Sequence, residues 1–379
     1  MNRNIIIFAV VFFSIIILSF NKPAKETVNV YGWYGVMNRE VLSDFEKETG
    51  IKVIYDVYDN NDTLEAKLLA TNSGYDVVFP SFIPYAARQC NMGAYTKLNK
   101  TEIPNLKNID GYVTEKYQSA GGDTDYLVPI FWGTIGIAYD TDIVYRTFKN
   151  EEPISYNILL DPEKIKLISK FGISFPEEYI DIFPQTQVFL NLEDSPNSKT
   201  PARISSYMNH FKNLRKYIKK FSSNTMISDL ISGEVVVAIG SSDNAWRAQI
   251  SAKHVGKNLK YIIPKGSGML WVDCVGIPEK APHKENAHKF LNYLLRPEVA
   301  AKITNYSGIL TNIPTATAFF KKEITCDDQI CPFDNEVLSN LMIGVPSKNA
   351  EDAKYDKMAT RAWSQIRMNE FNYTKGIDE

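Results

Sequence analysis

The 379-residue chain has few of the side chains that build metal clusters or disulfide scaffolds, since it contains only four cysteines and four histidines. A formal net charge of −2 provides no broadly basic surface for nucleic acid. With 44% hydrophobic and 23% charged residues, the chain is not a disordered one. No P-loop, GxGxxG fingerprint or GxSxG nucleophile turn stands in a suitable context. These exclusions indicate a globular protein of about two domains without an evident catalytic motif.

The only long apolar run lies at the N-terminus, from Ile5 to Phe20. It follows the single positive charge of Arg3 and ends at a polar break, Asn21 to Pro23. This arrangement predicts a secretory signal peptide over residues 1–25, and an uncleaved N-terminal anchor is the alternative. Sixteen apolar residues are short for a membrane-spanning helix. The protein is therefore expected to be exported, to the periplasm, either free or anchored.

Export makes disulfides chemically possible, and the four cysteines fall into two groups. Cys326 and Cys331 flank the short segment CDDQIC, which could close as a bridge or remain reduced. Cys90 and Cys274 lie in apolar surroundings and are expected to be plain buried thiols. Removal of residues 1–25 deletes three basic residues and leaves 39 basic against 44 acidic ones, a net charge of −5. Such a mildly acidic protein suits a cationic ligand without requiring one.

After Val28, segments with strand and helix patterns alternate, which predicts an α/β fold with a parallel sheet and crossover helices. The central part is richer in helix. Helical periodicity there covers residues 161–171, 176–191 and 203–221. Further strands are predicted at 235–240, 261–264 and 270–277, and a helix at 243–254. The absence of a low-complexity linker indicates two lobes joined by crossing strands.

Several aromatic and acidic residues fall at predicted strand ends, where open α/β sheets bind ligands. They are Trp33, Tyr34, Ser81, Glu178, the segment from Ser241 to Trp246, Trp271 and Asp273. A single tryptophan is more often a packing residue, and Glu178 alone is typical of a helix N-terminus. Asp273 is more informative because it lies within an apolar strand, where a buried carboxylate requires a partner.

Long segments of the chain resemble the periplasmic polyamine-binding proteins of bacterial ABC importers, and the putrescine-binding member most closely. The resemblance runs from about Val28 to Arg367 and includes FEKETGIKVIYDVYDNNDTLEAKLLATNSGYDVVFPS, VPIFWGTIGIAYD, GEVVVAIG, KFLNYLLRPEVAAKIT and ATRAWSQIR. It implies a type II periplasmic binding protein with two α/β lobes that close over a ligand. It also implies delivery to a membrane permease whose ATPase is a separate chain.

The resemblance assigns ligand roles position by position. Trp33 matches the family's cleft tryptophan, Ser81 its serine, and Glu178 the acid before a hydrophobic helix. Trp271 and Asp273 match the aromatic-x-Asp pair of the last cleft strand. Polyamines carry ammonium groups separated by methylenes, so carboxylates would pair with the charges and aromatic faces would cover the chain.

Other positions depart from the putrescine-binding pattern. Ser241 replaces a tryptophan and Asn244 an aspartate, with Asp243 one place early. Tyr34-Gly35 replaces a polar or acidic pair, and Ile309 falls where a tyrosine is expected. The resemblance therefore predicts an amine ligand without fixing which one. The expected binding residues are Trp33, Tyr34, Ser81, Glu178, Asp243, Asn244, Trp271 and Asp273.

The expected lobes are residues 28–138 with 274–315, and residues 139–273 with 316–375. We expect a monomeric solute-binding protein that is not an enzyme, with no cofactor, metal or nucleic acid. The alternatives are a protein of the same fold for a different small solute, an enzyme built on two lobes, and a surface module kept for partner contacts. An enzyme would need a nucleophile–base pair, which the sequence does not show.

Overall fold

The computed structural model describes residues 26–70, 73–109, 111–149, 154–192, 199–264, 268–321, 341–347 and 349–371. The predicted signal segment 1–25 and the predicted Cys326–Cys331 bridge lie outside these ranges. Within them, no helix is long and apolar enough to cross a membrane. Cys90 and Cys274 are free thiols. Cys274 is buried, as predicted, whereas Cys90 is only half-buried, so the prediction of a buried thiol is wrong there.

The strands join in one eleven-stranded sheet of order β2-β1-β3-β9-β4-β7-β5-β6, with β8 and β10 paired to β4 and β11 paired to β9. The strands are β1 Thr27–Trp33, β2 Lys52–Tyr58, β3 Val77–Val78, β4 Leu127–Asp140, β5 Ile173–Phe175, β6 Lys220–Phe221, β7 Val237–Ser241, β8 Leu259–Ile262, β9 Met269–Gly276, β10 Leu310–Thr311 and β11 Met342–Ile343.

The α-helices of the described ranges are α1 Arg39–Thr49, α2 Asn61–Leu68, α3 Ala87–Asn91, α4 Gly111–Ser119, α5 Thr141–Phe148, α6 Asn157–Leu160, α7 Pro162–Ser169, α8 Phe183–Phe189, α9 Pro201–Leu214, α10 Met226–Ser232, α11 Ser242–Lys253, α12 Lys284–Leu294, α13 Pro297–Ser307 and α14 Ala350–Met368. A π-helical turn, Phe82–Ala86, precedes α3. The predicted alternation of strands and helices is confirmed.

The expectation of a parallel sheet is wrong for the centre of the sheet. β1 pairs in parallel with β2 and β3, but β9 pairs antiparallel with β3 and β4. β4 also pairs antiparallel with β7. Every residue of β4 is buried. A strand is buried along its whole length when both faces of the sheet are covered. Such burial does not indicate whether the neighbouring strands run parallel or antiparallel.

Two of the predicted central helices are too long. The prediction over 176–191 is wrong for its first half, where a 3-10 turn spans Tyr179–Asp181 and α8 starts only at Phe183, with Pro184 in its first turn. The prediction over 203–221 fails after Leu214, since the chain turns into β6 and pairs with β5. Sheet pairing overrides local helical periodicity there.

The apolar core has two large parts that meet along β4 and β9. One part joins the first strands and helices to α12 and α13. The other packs α7, α8 and α9 against the C-terminal helix α14, around the buried Trp363. The Trp363 ring lies 5.1 Å from Phe211 and 5.6 Å from Phe183, centroid to centroid. Trp271 packs against both parts and so lies at their junction.

Candidate binding site

Asp273 lies in the middle of β9 and is 5% exposed. The Ser81 hydroxyl, three residues beyond Val78 at the end of β3, donates a hydrogen bond of 2.6 Å to Asp273 Oδ1. The two residues also form an antiparallel β-bridge. The Ser81 amide in turn donates to Asn61 Oδ1 at 3.0 Å, which fixes the start of α2 beside the site. Two residues singled out in the sequence, 192 positions apart, are thus in direct contact.

Asp273 has no cationic partner within the described ranges, and its environment disfavours the charged form. Burial, together with nearby Asp243, raises the pKa of Asp273 to about 7. The Ser81 hydroxyl and, to a smaller degree, the Trp33 indole N–H act in the opposite direction. A cation placed beside Asp273 would therefore bind a carboxylate that the protein itself leaves uncompensated.

Two of the predicted aromatic residues border this carboxylate. Trp33 ends β1 and lies against Tyr58, with ring centroids 4.6 Å apart. Trp271 covers Gly133 of β4, where any Cβ would collide with the indole. The indole nitrogens of Trp33 and Trp271 are buried, and neither has a well-formed hydrogen bond to a described residue. Tyr34, by contrast, is 76% exposed, so its ring does not enclose a ligand in this conformation.

The first turns of α11 supply Asp243 and Asn244. Asp243 is buried, with 6% of its surface exposed, and it is close enough to Asp273 to raise that residue's pKa. Both residues accept hydrogen bonds from Arg247 Nη2, at 2.7 Å for Asp243 Oδ2 and 3.1 Å for Asn244 Oδ1. Ser241 caps the helix without a side-chain hydrogen bond. Sequence reasoning did not single out Arg247, because an (i, i+4) acid–base pair is ordinary on helix surfaces.

Asp181 is the acid that sequence reasoning missed. It ends the 3-10 turn after Glu178 and is half-buried, and within the described ranges no side chain pairs with its carboxylate. Burial raises the pKa of Asp181 to about 7, and the charge of Glu178 adds to the effect. Asp181 and Asp243 both raise the pKa of the buried Tyr261 hydroxyl, after burial itself and Tyr156. These two acids thus lie around one buried tyrosine.

Glu178 is exposed to solvent and lies near Asp62 of α2, the helix that follows β2. Partial desolvation by the surrounding protein raises the pKa of Glu178, and the charge of Asp62 contributes to this shift, whereas Arg367 opposes it. Asp62 accepts a hydrogen bond of 3.0 Å from the Tyr85 hydroxyl. Glu178, Asp62 and Tyr85 therefore form an acidic rim. It is distinct from the acids called enclosed below, which are the buried Asp243 and Asp273 and the half-buried Asp181.

The remaining departures from the family pattern lie away from the enclosed acids. Ile309 is 5% exposed and belongs to the apolar core. Trp246 packs on Gly308, whose φ of 77° and lack of a Cβ admit the indole. No group of three or more metal-ligating side chains occurs among the described residues.

A further pocket lies between the π-helical turn, α8 and α14. Its lining is mostly apolar, and its polar group is an internal ion pair between Lys199 and Asp356 at 2.9 Å. Because that pair is already neutral, the pocket offers no uncompensated charge.

Comparison with known proteins now decides the family. Residues 40–330 match the bacterial extracellular solute-binding protein family. The chain belongs to this family. It is 35% identical over 348 residues to a putrescine-binding periplasmic protein of Pseudomonas aeruginosa strain UCBPP-PA14, covering 90% of this chain and 92% of that one. A putrescine-binding periplasmic protein of Escherichia coli strain K12 is 32% identical over 346 residues, with 90% and 92% covered.

A solved structure supports the fold. A spermidine/putrescine ABC transporter substrate-binding protein of Streptococcus pneumoniae superposes with a TM-score of 0.75 at 23% identity, covering 91% of this chain and 99% of that one. The solute-binding protein thus has the expected type II periplasmic binding fold, with two α/β lobes and a cleft between them. It is a binding protein and not an enzyme.

Proposed function

We propose that this solute-binding protein captures a polyamine in the cleft and delivers it to the permease of an ABC importer. The observation that carries the proposal is the pair of enclosed carboxylates, Asp273 and Asp181, for which no described residue supplies a cation. Ammonium groups would neutralise both acids through charge-assisted hydrogen bonds. The names of the curated relatives, which are putrescine-binding periplasmic proteins, point to the same class of ligand.

The aromatic residues suit the rest of such a ligand. The faces of Trp33 and Trp271 would pack on methylene groups and attract a nearby ammonium, each contributing about 0.5–2 kcal/mol. Asp181 joins the earlier candidates Trp33, Ser81, Glu178, Asp243, Asn244, Trp271 and Asp273, with Tyr34 at the surface. In this proposal Glu178 and Asp62 attract the cation at the rim and the enclosed acids hold it.

Cellular context and architecture form part of the proposal. The protein is exported by its N-terminal signal, works as a periplasmic monomer, and binds no nucleic acid. Residues 28–138 with 274–315 form one lobe, and residues 139–273 with 316–375 form the other. The split of the apolar core along β4 and β9 supports this division.

Calorimetric titration with putrescine, cadaverine, spermidine, spermine and agmatine tests the function. We expect at least one amine to bind at micromolar or tighter concentration, with one site per chain. Asp273→Asn and Asp181→Asn should each weaken binding about thirtyfold or more, because truncating a buried charge pair costs about 2–5 kcal/mol. Asp142→Asn is the matched control, since Asp142 is exposed in the first turn of α5.

Binding that is insensitive to both enclosed acids would contradict the site. Failure of every amine to bind the folded protein would contradict the ligand class and favour a different small solute.

A further inference from the structure

Arg247 is a cation that the protein itself places beside the cleft acids. It lies in the second turn of α11, and its side chain is 31% exposed. Its guanidinium forms an ion pair of 2.7 Å with the buried Asp243. A guanidinium does not lose its proton in proteins, so this charge is permanent. One of the three enclosed acids is therefore already neutralised.

The same side chain reaches the opposite loop. A Cβ on Gly35, two residues after Trp33, would lie 3.4 Å from Arg247 Nη1. Gly35 has a φ of 75°, which side-chain-bearing residues rarely adopt. The loop after β1 thus carries no side chain at this point, and the guanidinium lies directly against its backbone. Arg247 spans from α11 to the loop after β1.

The contacts of the guanidinium place it between α11 and the loop after β1. Arg247 Nη2 donates to the Asp243 carboxylate, and Nη1 lies against the backbone at Gly35. Asp243 in turn is close enough to Asp273 to raise that residue's pKa. Arg247 Nε is buried and has no acceptor among the described residues, so the ammonium of a ligand, which only donates, could not satisfy it.

We propose that Arg247 permanently occupies a third cation position and limits the ligand to two ammonium groups. The inference rests on the proposed function and narrows its substrate class to short diamines. Asp273 and Asp181 remain for the two ammoniums of such a diamine. The third ammonium of a triamine would need the Asp243 carboxylate, which the guanidinium already holds, so the Asp243–Arg247 ion pair would have to break.

Titration of putrescine and spermidine into four forms of the protein tests this inference. The native protein should bind putrescine at least about tenfold more tightly than spermidine, which is about 1.4 kcal/mol. Arg247→Gln releases Asp243 and should raise spermidine affinity about tenfold or more, while putrescine affinity changes less than about threefold. Arg247→Lys keeps the charge and should keep the preference for putrescine.

A double variant, Asp243→Asn with Arg247→Gln, distinguishes the release of the Asp243 charge from the space gained by removing the guanidinium. It removes the guanidinium without releasing a carboxylate, so spermidine should gain nothing. An equal gain in the single and double variants would show a steric effect and overturn the inference. Native protein that binds spermidine as tightly as putrescine would also overturn it, and the proposed function would stand.

Two further outcomes are distinguishable. If neither amine binds the native protein, the proposed function itself fails. Arg247→Gln leaves Asp243 buried, so each variant is first compared with the native protein by thermal unfolding. If the single variant does not fold, the double variant and Arg247→Lys still decide: a spermidine gain in the double variant, or loss of the preference with Lys, refutes the inference.

Discussion

Ligand binding should depend steeply on pH, because both acids proposed to hold the ammoniums have a pKa of about 7. Each carboxyl would be about 90% ionised at pH 8 and about 10% ionised at pH 6. An alkylammonium, like the lysine side chain, stays charged throughout this range. If binding requires both carboxylates, affinity should be about a hundredfold weaker at pH 6 than at pH 8.

The sign for the unliganded protein is the opposite. The folded-state pKa of Asp273 and of Asp181 is raised above the model value of 3.8. The folded state therefore holds protons that the unfolded state has lost, and the free energy of unfolding should fall as pH rises from about 4 to about 7. Bound diamine should remove this loss by stabilising the carboxylates.

Calorimetry in two buffers of different ionisation enthalpy measures the linked protons directly. At pH 7 each acid is about half protonated, so binding should release about one proton in total. Asp273→Asn leaves one titrating acid and should reduce the pH effect to about tenfold. An affinity that changes less than about threefold between pH 6 and pH 8, or that increases on acidification, would show that binding does not require the two carboxylates.

Two substitutions test how the site is positioned. Ser81→Ala removes the hydroxyl that lowers the pKa of Asp273, so the midpoint of the pH dependence should move upward and affinity at pH 7.5 should fall about tenfold, as expected for a hydrogen bond to a charged group. Ser81→Thr retains a hydroxyl and should keep most of the affinity, and equal loss in both variants would contradict this role. Gly133→Ala places a methyl group against Trp271 and should lower stability by about 1–3 kcal/mol together with affinity. Gly111→Ala, where a Cβ meets Glu115 Oε1 only at 3.6 Å, is the control in thermal unfolding, and an equal effect of both substitutions would contradict the packing argument.

The pair of Ser81 and Asp273 could be predicted from the sequence because each carries a local signal. Ser81 follows a short apolar strand, and Asp273 interrupts an apolar one, where an unpaired carboxylate is costly. The helices α1 and α12 can be predicted equally well from the sequence, since their apolar positions repeat at helical spacing. Local pattern and final burial agree at these positions.

The sequence does not indicate in the same way that Asp181 is a better candidate for ligand binding than Glu178. Both acids lie in one short segment that was predicted as helix, and a helix would have placed them on one face at spacing i, i+3. Instead the chain makes a 3-10 turn, which leaves Asp181 half-buried and Glu178 exposed at the rim. The proline at the start of α8 was the available signal that the helix begins later.

The contacts across the cleft were beyond sequence reasoning for a different reason. The approach of Arg247 to Gly35 and the influence of Asp62 on Glu178 join segments more than a hundred residues apart. The mixed direction of the sheet has the same origin, because burial of β4 and β9 on both faces looks alike in either direction. These features depend on tertiary arrangement and not on local pattern.

Native mass spectrometry of the exported protein, purified without refolding, shows whether the enclosed acids hold a polyamine. After incubation with the five amines, we expect one bound amine per chain, with putrescine ahead of spermidine and spermine. The Asp181→Asn, Asp273→Asn double variant should bind none. A native protein that binds no amine, or a double variant that binds it undiminished, would rule out polyamine binding by these acids.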